Sequence, residues 1–131
     1  MIKNNILIVD DDILILNTLK KRFETWQTDV YAVATPEEAR QVLEKITPGA
    51  VILDLLLTKE DGSSGILDYI KSQPRLQNVP VLILTNLDKP ELKQMLLSQG
   101  VKEYLIKGSL TLDDLYKKVT GYLELKDKTE K

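Results

Sequence analysis

Five short apolar runs, separated by longer amphipathic stretches, follow one another along almost the whole chain. Short runs of β-branched and large apolar residues are typical of strands that are buried on both faces of a parallel sheet. The runs are Ile6–Val9, Val30–Val33, Ala50–Leu53, Val81–Leu84 and Tyr104–Ile106. Strands that alternate with helices favour an α/β fold. We therefore predict a single, doubly wound, five-stranded parallel sheet with five helices covering both of its faces.

Local signals indicate where the helices between these runs begin and end. Thr35-Pro36-Glu37-Glu38 is a capping box with proline at the first helical position, and it predicts the start of the second helix. Asp88-Lys89-Pro90-Glu91 and Thr111-Leu112-Asp113-Asp114 predict the starts of the fourth and fifth helices, and Gly100 is a predicted carboxyl-terminal cap. The folded domain is expected to cover residues 1–125, followed by a charged, disordered tail over residues 126–131.

The composition excludes several classes of chemistry. The 131 residues include no cysteine and no histidine. This removes disulfides, zinc sites, thiolate nucleophiles and every catalytic arrangement that needs histidine. Nucleophilic or acid–base chemistry must then be carried by a lysine or a carboxylate, and oxygen ligands favour a hard cation such as Mg²⁺.

Charge and hydropathy bear on the partners and the location of the protein. The net charge of −2 at pH 7 argues against direct binding of nucleic acid, which needs concentrated positive charge. The apolar runs are far too short to span a bilayer, and the amino terminus does not have the pattern of a signal peptide. We expect a cytoplasmic protein that binds neither a membrane nor nucleic acid.

Polar and charged residues stand at the ends of four of the five predicted strands. Asp10-Asp11-Asp12 follows the first, Asp54 follows the third, Thr85 ends the fourth and Lys107 follows the fifth. In doubly wound sheets, ligands bind at the carboxyl ends of the strands. Crowded carboxylates repel one another unless a cation lies among them, so the pattern predicts a Mg²⁺ site. An alternative role for the three adjacent aspartates is to cap the first helix, although one is enough for that.

Five short motifs occur at successive strand ends and in the loop after the third strand. They are Ile-Val-Asp-Asp at 8–11, Leu-Asp-Leu at 53–55, Asp61-Gly62, Leu-Thr-Asn at 84–86 and Tyr-Leu-Ile-Lys at 104–107. From about Ile6 to Leu125, the chain resembles the chemotaxis-regulator-like receiver domain of two-component response regulators. The resemblance implies the flavodoxin-like strand order 2-1-3-4-5. It also implies a phosphorylation-activated signalling switch that belongs to a two-component phosphorelay.

The resemblance assigns a phosphoacceptor and a metal site to these motifs. Asp54 would accept a phosphoryl group from a sensor histidine kinase or a phosphotransfer protein. Asp10 and Asp11, together with Asp54 and the backbone carbonyl of Leu56, would bind Mg²⁺. In this interpretation the chain is a phosphoacceptor that assists its own phosphorylation and dephosphorylation, and it is not a turnover enzyme.

The resemblance also implies how phosphorylation is sensed. Thr85 and Lys107 would contact the phosphoryl oxygens, and Thr85 with Tyr104 would form the switch pair. The changed surface would consist of the fourth helix, the fifth strand and the fifth helix. A downstream protein would bind there, and phosphorylation is expected to favour a homodimer. The chain is expected to be either a stand-alone receiver or the amino-terminal part of a longer regulator.

Three residues near the predicted site bear on its geometry and its kinetics, and the first of them departs from the usual family pattern. Gly108 follows Lys107, where the family usually has a proline that is often joined by a cis bond. The bond to Gly108 is therefore expected to be either trans or strained, since a non-proline cis bond costs about 3 kcal/mol. Leu56 and Leu87 stand where a polar residue could guide a hydrolytic water, which predicts a long-lived phosphoryl group.

Three other functions are compatible with parts of this pattern. A phosphorylation-independent, receiver-like interaction module would keep the fold without the chemistry. A haloacid-dehalogenase-type phosphatase would use Asp-x-Asp-x-Thr/Val, of which the stretch from Asp10 to Leu14 matches only the two acidic positions. A flavodoxin-like electron carrier would need a Ser/Thr/Gly-rich phosphate loop after the first strand, and an acidic run stands there instead.

Overall fold

The computed structural model describes residues 5–24, 28–55 and 62–129. Within these residues the strands are β1 (Asn5–Val9), β2 (Asp29–Val33), β3 (Ala50–Leu53), β4 (Val81–Thr85) and β5 (Glu103–Ile106). The α-helices are α1 (Ile13–Glu24), α2 (Pro36–Lys45), α3 (Gly62–Ser72), α4 (Pro90–Ser98) and α5 (Leu112–Thr129). The strands form one parallel sheet in the order β2-β1-β3-β4-β5, which confirms the predicted fold class and strand order.

The register brings the carboxyl ends of four neighbouring strands to one edge of the sheet. Val9 is paired with Leu53, and Leu53 is paired with Ile83. Two residues further along β4, Thr85 is paired with Ile106 of β5. Residues that follow these pairs therefore lie side by side at this edge, which we call the carboxyl edge.

Each strand contributes side chains to two apolar layers, because successive side chains point to opposite faces of a sheet. In β1, Leu7 and Val9 pack into the layer that contains residues of α2, α3 and α4. Ile6 and Ile8 pack into the layer that contains residues of α1 and α5. All four are fully buried, and burying each such side chain stabilises the fold by roughly 1.5–3 kcal/mol.

Short-range contacts at the helix ends agree with most of the predicted caps. The amide of Glu38 donates to Thr35 Oγ1 at 3.1 Å at the start of α2, and the amide of Asp114 donates to Thr111 Oγ1 at 3.0 Å at the start of α5. Gly100 follows α4 with a φ of +104°, a left-handed conformation that costs glycine little. Helix α4 begins at Pro90, within the predicted signal Asp88-Lys89-Pro90-Glu91, and its cap residue, Lys89, makes no side-chain hydrogen bond.

Helix α5 extends further than the sequence predicted. It runs for 18 residues to Thr129 and so includes residues 126–129 of the predicted tail. Neither glycine nor proline occurs after Gly121 to end the helix. The domain boundary at residue 125 stays a prediction. No helix of the described ranges combines the length and the apolar character that crossing a membrane requires.

Arg75 fastens a short 3-10 turn, Pro74–Leu76, to the end of α2. Its guanidinium donates at 3.1 Å both to the carbonyl oxygen of Ile46 and to Thr47 Oγ1, and it also donates to the carbonyl oxygen of Leu43. A helix leaves its last carbonyls without intrahelical donors, and a basic side chain near that end can bind them. These contacts join the end of α2 to the turn that precedes β4.

Candidate functional site

Three carboxylates meet at the carboxyl edge. Asp10 and Asp11 follow β1, and Asp54 follows β3, the strand that pairs with β1. One carboxylate oxygen from each of the three lies within 4.8 Å of the others. Asp10 and Asp54 are buried and Asp11 is exposed, so the cluster opens to solvent on the Asp11 side. The structure therefore brings together the aspartates that the sequence predicted as metal ligands.

Lys107 reaches this cluster from the end of β5, which lies two strands away from β3 in the sheet. It stands in the 3-10 turn Lys107–Ser109 that follows β5. Its Nζ donates to Asp54 Oδ2 at 3.2 Å and forms an ion pair with Asp10 Oδ2 at 2.9 Å, while the lysine side chain is only 12% exposed. Three carboxylates and one ammonium leave a net charge of −2 at the site when all are ionised, which is the charge that one divalent cation balances.

Burial and pairing act in opposite directions on the charges of the site. Burial raises the pKa of Asp10, and the nearby charge of Asp54 adds to this, while hydrogen bonds from the Asp12 amide and Lys107 only partly oppose it. For Lys107, burial favours the neutral amine, but the hydrogen bonds and negative charges of Asp10 and Asp54 outweigh burial and raise its pKa. Lys107 is thus held in its charged form by the carboxylates it bridges.

Asp12 has a different role from its two neighbours. Its Oδ1 accepts hydrogen bonds from the amides of Leu14 at 3.1 Å and Ile15 at 3.3 Å, which makes it the cap of α1. Capping of the first helix therefore accounts for Asp12 and leaves the positions of Asp10 and Asp11 in the cluster unexplained. A haloacid-dehalogenase-type site would need Asp12 as the second acidic residue of its Asp-x-Asp motif, but the Asp12 carboxylate is already bound to the first amides of α1.

Thr85 and Tyr104, the predicted switch pair, are linked through the backbone of Leu87. The amide of Leu87 donates to Thr85 Oγ1 at 3.1 Å, and the hydroxyl of Tyr104 donates to the carbonyl oxygen of Leu87 at 2.6 Å. Thr85 is fully buried, and the Tyr104 side chain lies inside the layer beneath α4. This link could not be predicted from the residue types, because contacts with peptide groups do not depend on which side chain stands at position 87.

Two further predictions concern the loops around the site. Leu56, whose backbone carbonyl was predicted as a metal ligand, lies outside the described residues. The bond between Lys107 and Gly108 is trans, and the described part of the chain contains no cis peptide bond. The side chain of Leu87 packs against the apolar layer that contains Tyr104.

The donor set fits Mg²⁺. Carboxylate oxygens are the ligands that this cation prefers, and it is commonly held by a few carboxylates with water in the remaining positions. The three oxygens converge from adjacent strand ends, and one of the three residues faces solvent, where water is available. Soft transition metals are disfavoured because the chain offers neither sulfur from cysteine nor imidazole.

Comparison with known proteins agrees with this geometry. The family model described as the response regulator receiver domain matches residues 6–120. Over 106 residues, 81% of this chain, the chain is 32% identical both to the protein RcaC of Microchaete diplosiphon and to the response regulator protein GraR of Staphylococcus epidermidis. The matched segment is 16% of RcaC and 46% of GraR, so the chain spans less than half of either relative.

A solved structure has the same fold over its full length. A CheY-like response regulator receiver domain protein from Methanospirillum hungatei superposes with a TM-score of 0.83 at 25% identity, covering 98% of this chain and 99% of that one. Members of the family interact with histidine kinases and with downstream effectors. The resemblance found in the motifs is therefore confirmed, and the chain belongs to the response regulator receiver domains, the signalling domains of two-component systems.

Proposed function

We propose that this receiver domain accepts a phosphoryl group on Asp54 from a phosphohistidine of a sensor histidine kinase or phosphotransfer protein. The observation that carries the proposal is the cluster at the carboxyl edge, in which Asp10, Asp11 and Asp54 converge and Lys107 bridges two of them. A structural role alone does not require three carboxylates in one place, since their mutual repulsion and burial are unfavourable.

The chemical step is a transfer between two nucleophiles. A carboxylate oxygen of Asp54 forms a bond to phosphorus, while the bond from phosphorus to the donor's imidazole nitrogen breaks and the imidazole keeps that electron pair. A carboxylate suits this step because it is ionised at neutral pH and needs no general base. The product is an acyl phosphate on Asp54.

The neighbouring side chains position the transferred group and stabilise its charge. Lys107 already contacts Asp54, so its ammonium would follow one phosphoryl oxygen as the charge on that oxygen grows. Thr85 would donate its hydroxyl to another. Bound Mg²⁺, held by Asp10, Asp11, Asp54 and the Leu56 carbonyl, would neutralise negative charge on the phosphoryl oxygens.

The same contacts connect the site to a surface. Thr85 can donate its hydroxyl proton to a phosphoryl oxygen while its Oγ1 still accepts from the Leu87 amide. Movement of Thr85 towards the phosphoryl group would therefore displace Leu87, whose carbonyl oxygen accepts from the Tyr104 hydroxyl. Tyr104 lies on β5, the outermost strand beside β4, and β5 follows α4 and precedes α5 in the chain. On α4, Met95 is 48% exposed and Leu97 is 38% exposed. We infer that this α4–β5–α5 face binds the downstream protein and supports a phosphorylation-dependent homodimer.

The surface around the cluster fits a protein donor. Ile13 and Leu14, which follow Asp12 at the start of α1, are 64% and 75% exposed, and Leu112 at the start of α5 is 41% exposed. Ile15 of α1, Lys107 and Leu112 line one small cavity, so the starts of α1 and α5 are close together. Large aliphatic side chains grouped on a surface favour contact with another protein, here the one that carries the phosphohistidine.

Intact-mass analysis after incubation with acetyl phosphate tests the proposal. We expect one phosphoryl adduct that forms with Mg²⁺, that EDTA prevents and that Asp54→Asn abolishes. Asp12→Asn is the matched control, because it makes the same chemical change at the residue that caps α1, and it should keep the adduct. A folded protein that forms no adduct, or an Asp54→Asn variant that still forms it, would contradict the proposal. The absence of any adduct would favour the phosphorylation-independent interaction module.

A further inference from the structure

Asp10 has both of its carboxylate oxygens in contact with neighbouring groups. Its Oδ1 accepts a hydrogen bond from the Asp12 amide at 2.9 Å, and its Oδ2 is paired with Lys107 Nζ at 2.9 Å. The Asp10 side chain is only 3% exposed, so water has little access to either oxygen. A cation that binds Asp10 without competing with the Asp12 amide must therefore approach Oδ2, where the ammonium group of Lys107 already lies.

Mg²⁺ and the Lys107 ammonium are poorly accommodated on the same oxygen. Mg²⁺ binds oxygen ligands at about 2.0–2.1 Å, and Lys107 Nζ lies 2.9 Å from Asp10 Oδ2. On one oxygen the two cations would therefore be at most about 5 Å apart. The lysine side chain is only 12% exposed, so solvent screens their repulsion weakly. Lys107 and Mg²⁺ thus compete for Asp10.

We propose that Lys107 is an internal cation that holds Asp10 when Mg²⁺ is not bound and gives up this contact when Mg²⁺ binds. Lys107 would keep its contact with Asp54 Oδ2, which lies 3.2 Å from Nζ, and so would move towards the proposed phosphoacceptor. The inference rests on the metal site of the proposed function, but it does not require that Asp54 be phosphorylated. Binding of the metal and the position of the lysine would form one coupled equilibrium.

The turn that carries Lys107 has space for this movement. A small cavity of about 50 Å³ adjoins Lys107, and a single water molecule needs only about 10–15 Å³ of such space. The other residues that line the cavity are Ile15, Leu84, Leu110, Thr111, Leu112 and Leu115. Gly108, the next residue in the turn, is exposed, and a Cβ there would meet nothing within 4 Å. The structure therefore leaves room for Lys107 to shift beside the core.

Titration with Mg²⁺, followed by calorimetry at constant pH and ionic strength, tests the competition. Lys107→Met should bind Mg²⁺ about ten-fold more tightly than the unmodified domain, because the metal no longer has to replace a charged hydrogen-bond donor. Lys117→Met is the matched control. It removes an equal charge from an exposed position that pairs with Asp113 on α5, and it should change the affinity by less than about two-fold. Equal Mg²⁺ affinities of the two variants, both shown to be folded by circular dichroism, would overturn the proposal.

A second measurement uses the unmodified domain and follows the lysine itself. In the ¹⁵N-labelled protein, the Nζ signal of Lys107, identified by its absence in Lys107→Met, should shift with the same dissociation constant as the amide signals of residues 10–12. Amide signals that respond to Mg²⁺ while the Nζ signal stays unchanged would refute the displacement alone. No response at either place would refute the metal site as well. No phosphoryl donor is present, so these outcomes are independent of whether Asp54 is phosphorylated.

Discussion

Replacing Lys107 with methionine tests how much its ammonium stabilises the buried carboxylates of the carboxyl edge. Lys107 Nζ lies 2.9 Å from Asp10 Oδ2 and 3.2 Å from Asp54 Oδ2, and these two carboxylate side chains are 3% and 1% exposed. Methionine keeps much of the length and the apolar contacts of lysine but removes the charge and the donors. The two carboxylates then lose the cation that they share.

The structure sets the expected size of the effect. Removing one partner from a buried ion pair costs about 3–5 kcal/mol, because the other charge stays buried. Asp10 relieves part of this cost, since burial and the charge of Asp54 already raise its pKa and make protonation easier. We expect the free energy of unfolding of Lys107→Met to fall by about 3 kcal/mol at neutral pH without Mg²⁺. Mg²⁺ should restore part of the loss, because a cation that binds only the native state stabilises it.

Urea denaturation, followed by circular dichroism and by the fluorescence of the single tryptophan, Trp26, measures this change with and without Mg²⁺. Lys117→Met is the matched control. Lys117 is 73% exposed and pairs with Asp113 at 3.3 Å on the surface of α5, so its loss should cost less than about 1 kcal/mol. The reasoning is refuted if Lys107→Met, without Mg²⁺, loses no more stability than Lys117→Met.

Three further predictions concern packing, titration and kinetics. A Cβ at Gly49 would lie 2.6 Å from the buried side chain of Leu123 on α5, so Gly49→Ala should lower the free energy of unfolding by about 1–3 kcal/mol. A Cβ at Gly121, inside α5, meets nothing within 4 Å, so Gly121→Ala should raise the free energy of unfolding by about 0.5–1 kcal/mol. Urea denaturation measures both changes, and the same sign for the two variants would contradict this prediction. Burial, and then the hydrogen bond and charge of Glu103, raise the pKa of Tyr122 to about 12, so its contribution to stability is complete below about pH 10 and is lost as the pH rises towards 12. The free energy of unfolding of Tyr122→Phe should therefore fall less between about pH 10 and 12 than that of the unmodified domain. If the two proteins lose stability in parallel over this range, the prediction is wrong. Leu87 offers no group that could position a water, so the phosphoryl group on the isolated domain should persist far beyond seconds, and a lifetime of seconds by intact mass would disprove this.

The arrangement of the carboxyl edge was largely predictable, because parallel strands in register place the residues that follow them side by side. Asp10, Asp54 and Lys107 could therefore be grouped from their positions in the sequence alone. Which atoms Lys107 contacts could not be predicted, since that depends on the turn after β5. The cap that Arg75 provides for α2 was also missed. A contact between residues about 30 positions apart leaves no periodic pattern in the sequence.

The end of α5 shows a second limit of the sequence reasoning. A run of alternating charges at residues 126–131 was interpreted as a solvated tail, although lysine and other charged residues also extend helices well. Charge alone does not distinguish a helix end from a tail, and no glycine or proline after Gly121 marks a boundary. In the structure, the helix continues to Thr129.

The link from Thr85 to Tyr104 runs through the amide and the carbonyl of Leu87, which are groups that nearly every amino acid possesses. The side chain at this position is thus free to vary without breaking the link, and under the proposed phosphorylation of Asp54 it would be the part of the residue that affects the lifetime of the phosphoryl group. Proline alone lacks the amide hydrogen and would break the connection at Thr85. If Asp54 is phosphorylated as proposed, position 87 would affect how long the signal lasts through its side chain, while its backbone would keep the connection from Thr85 to Tyr104.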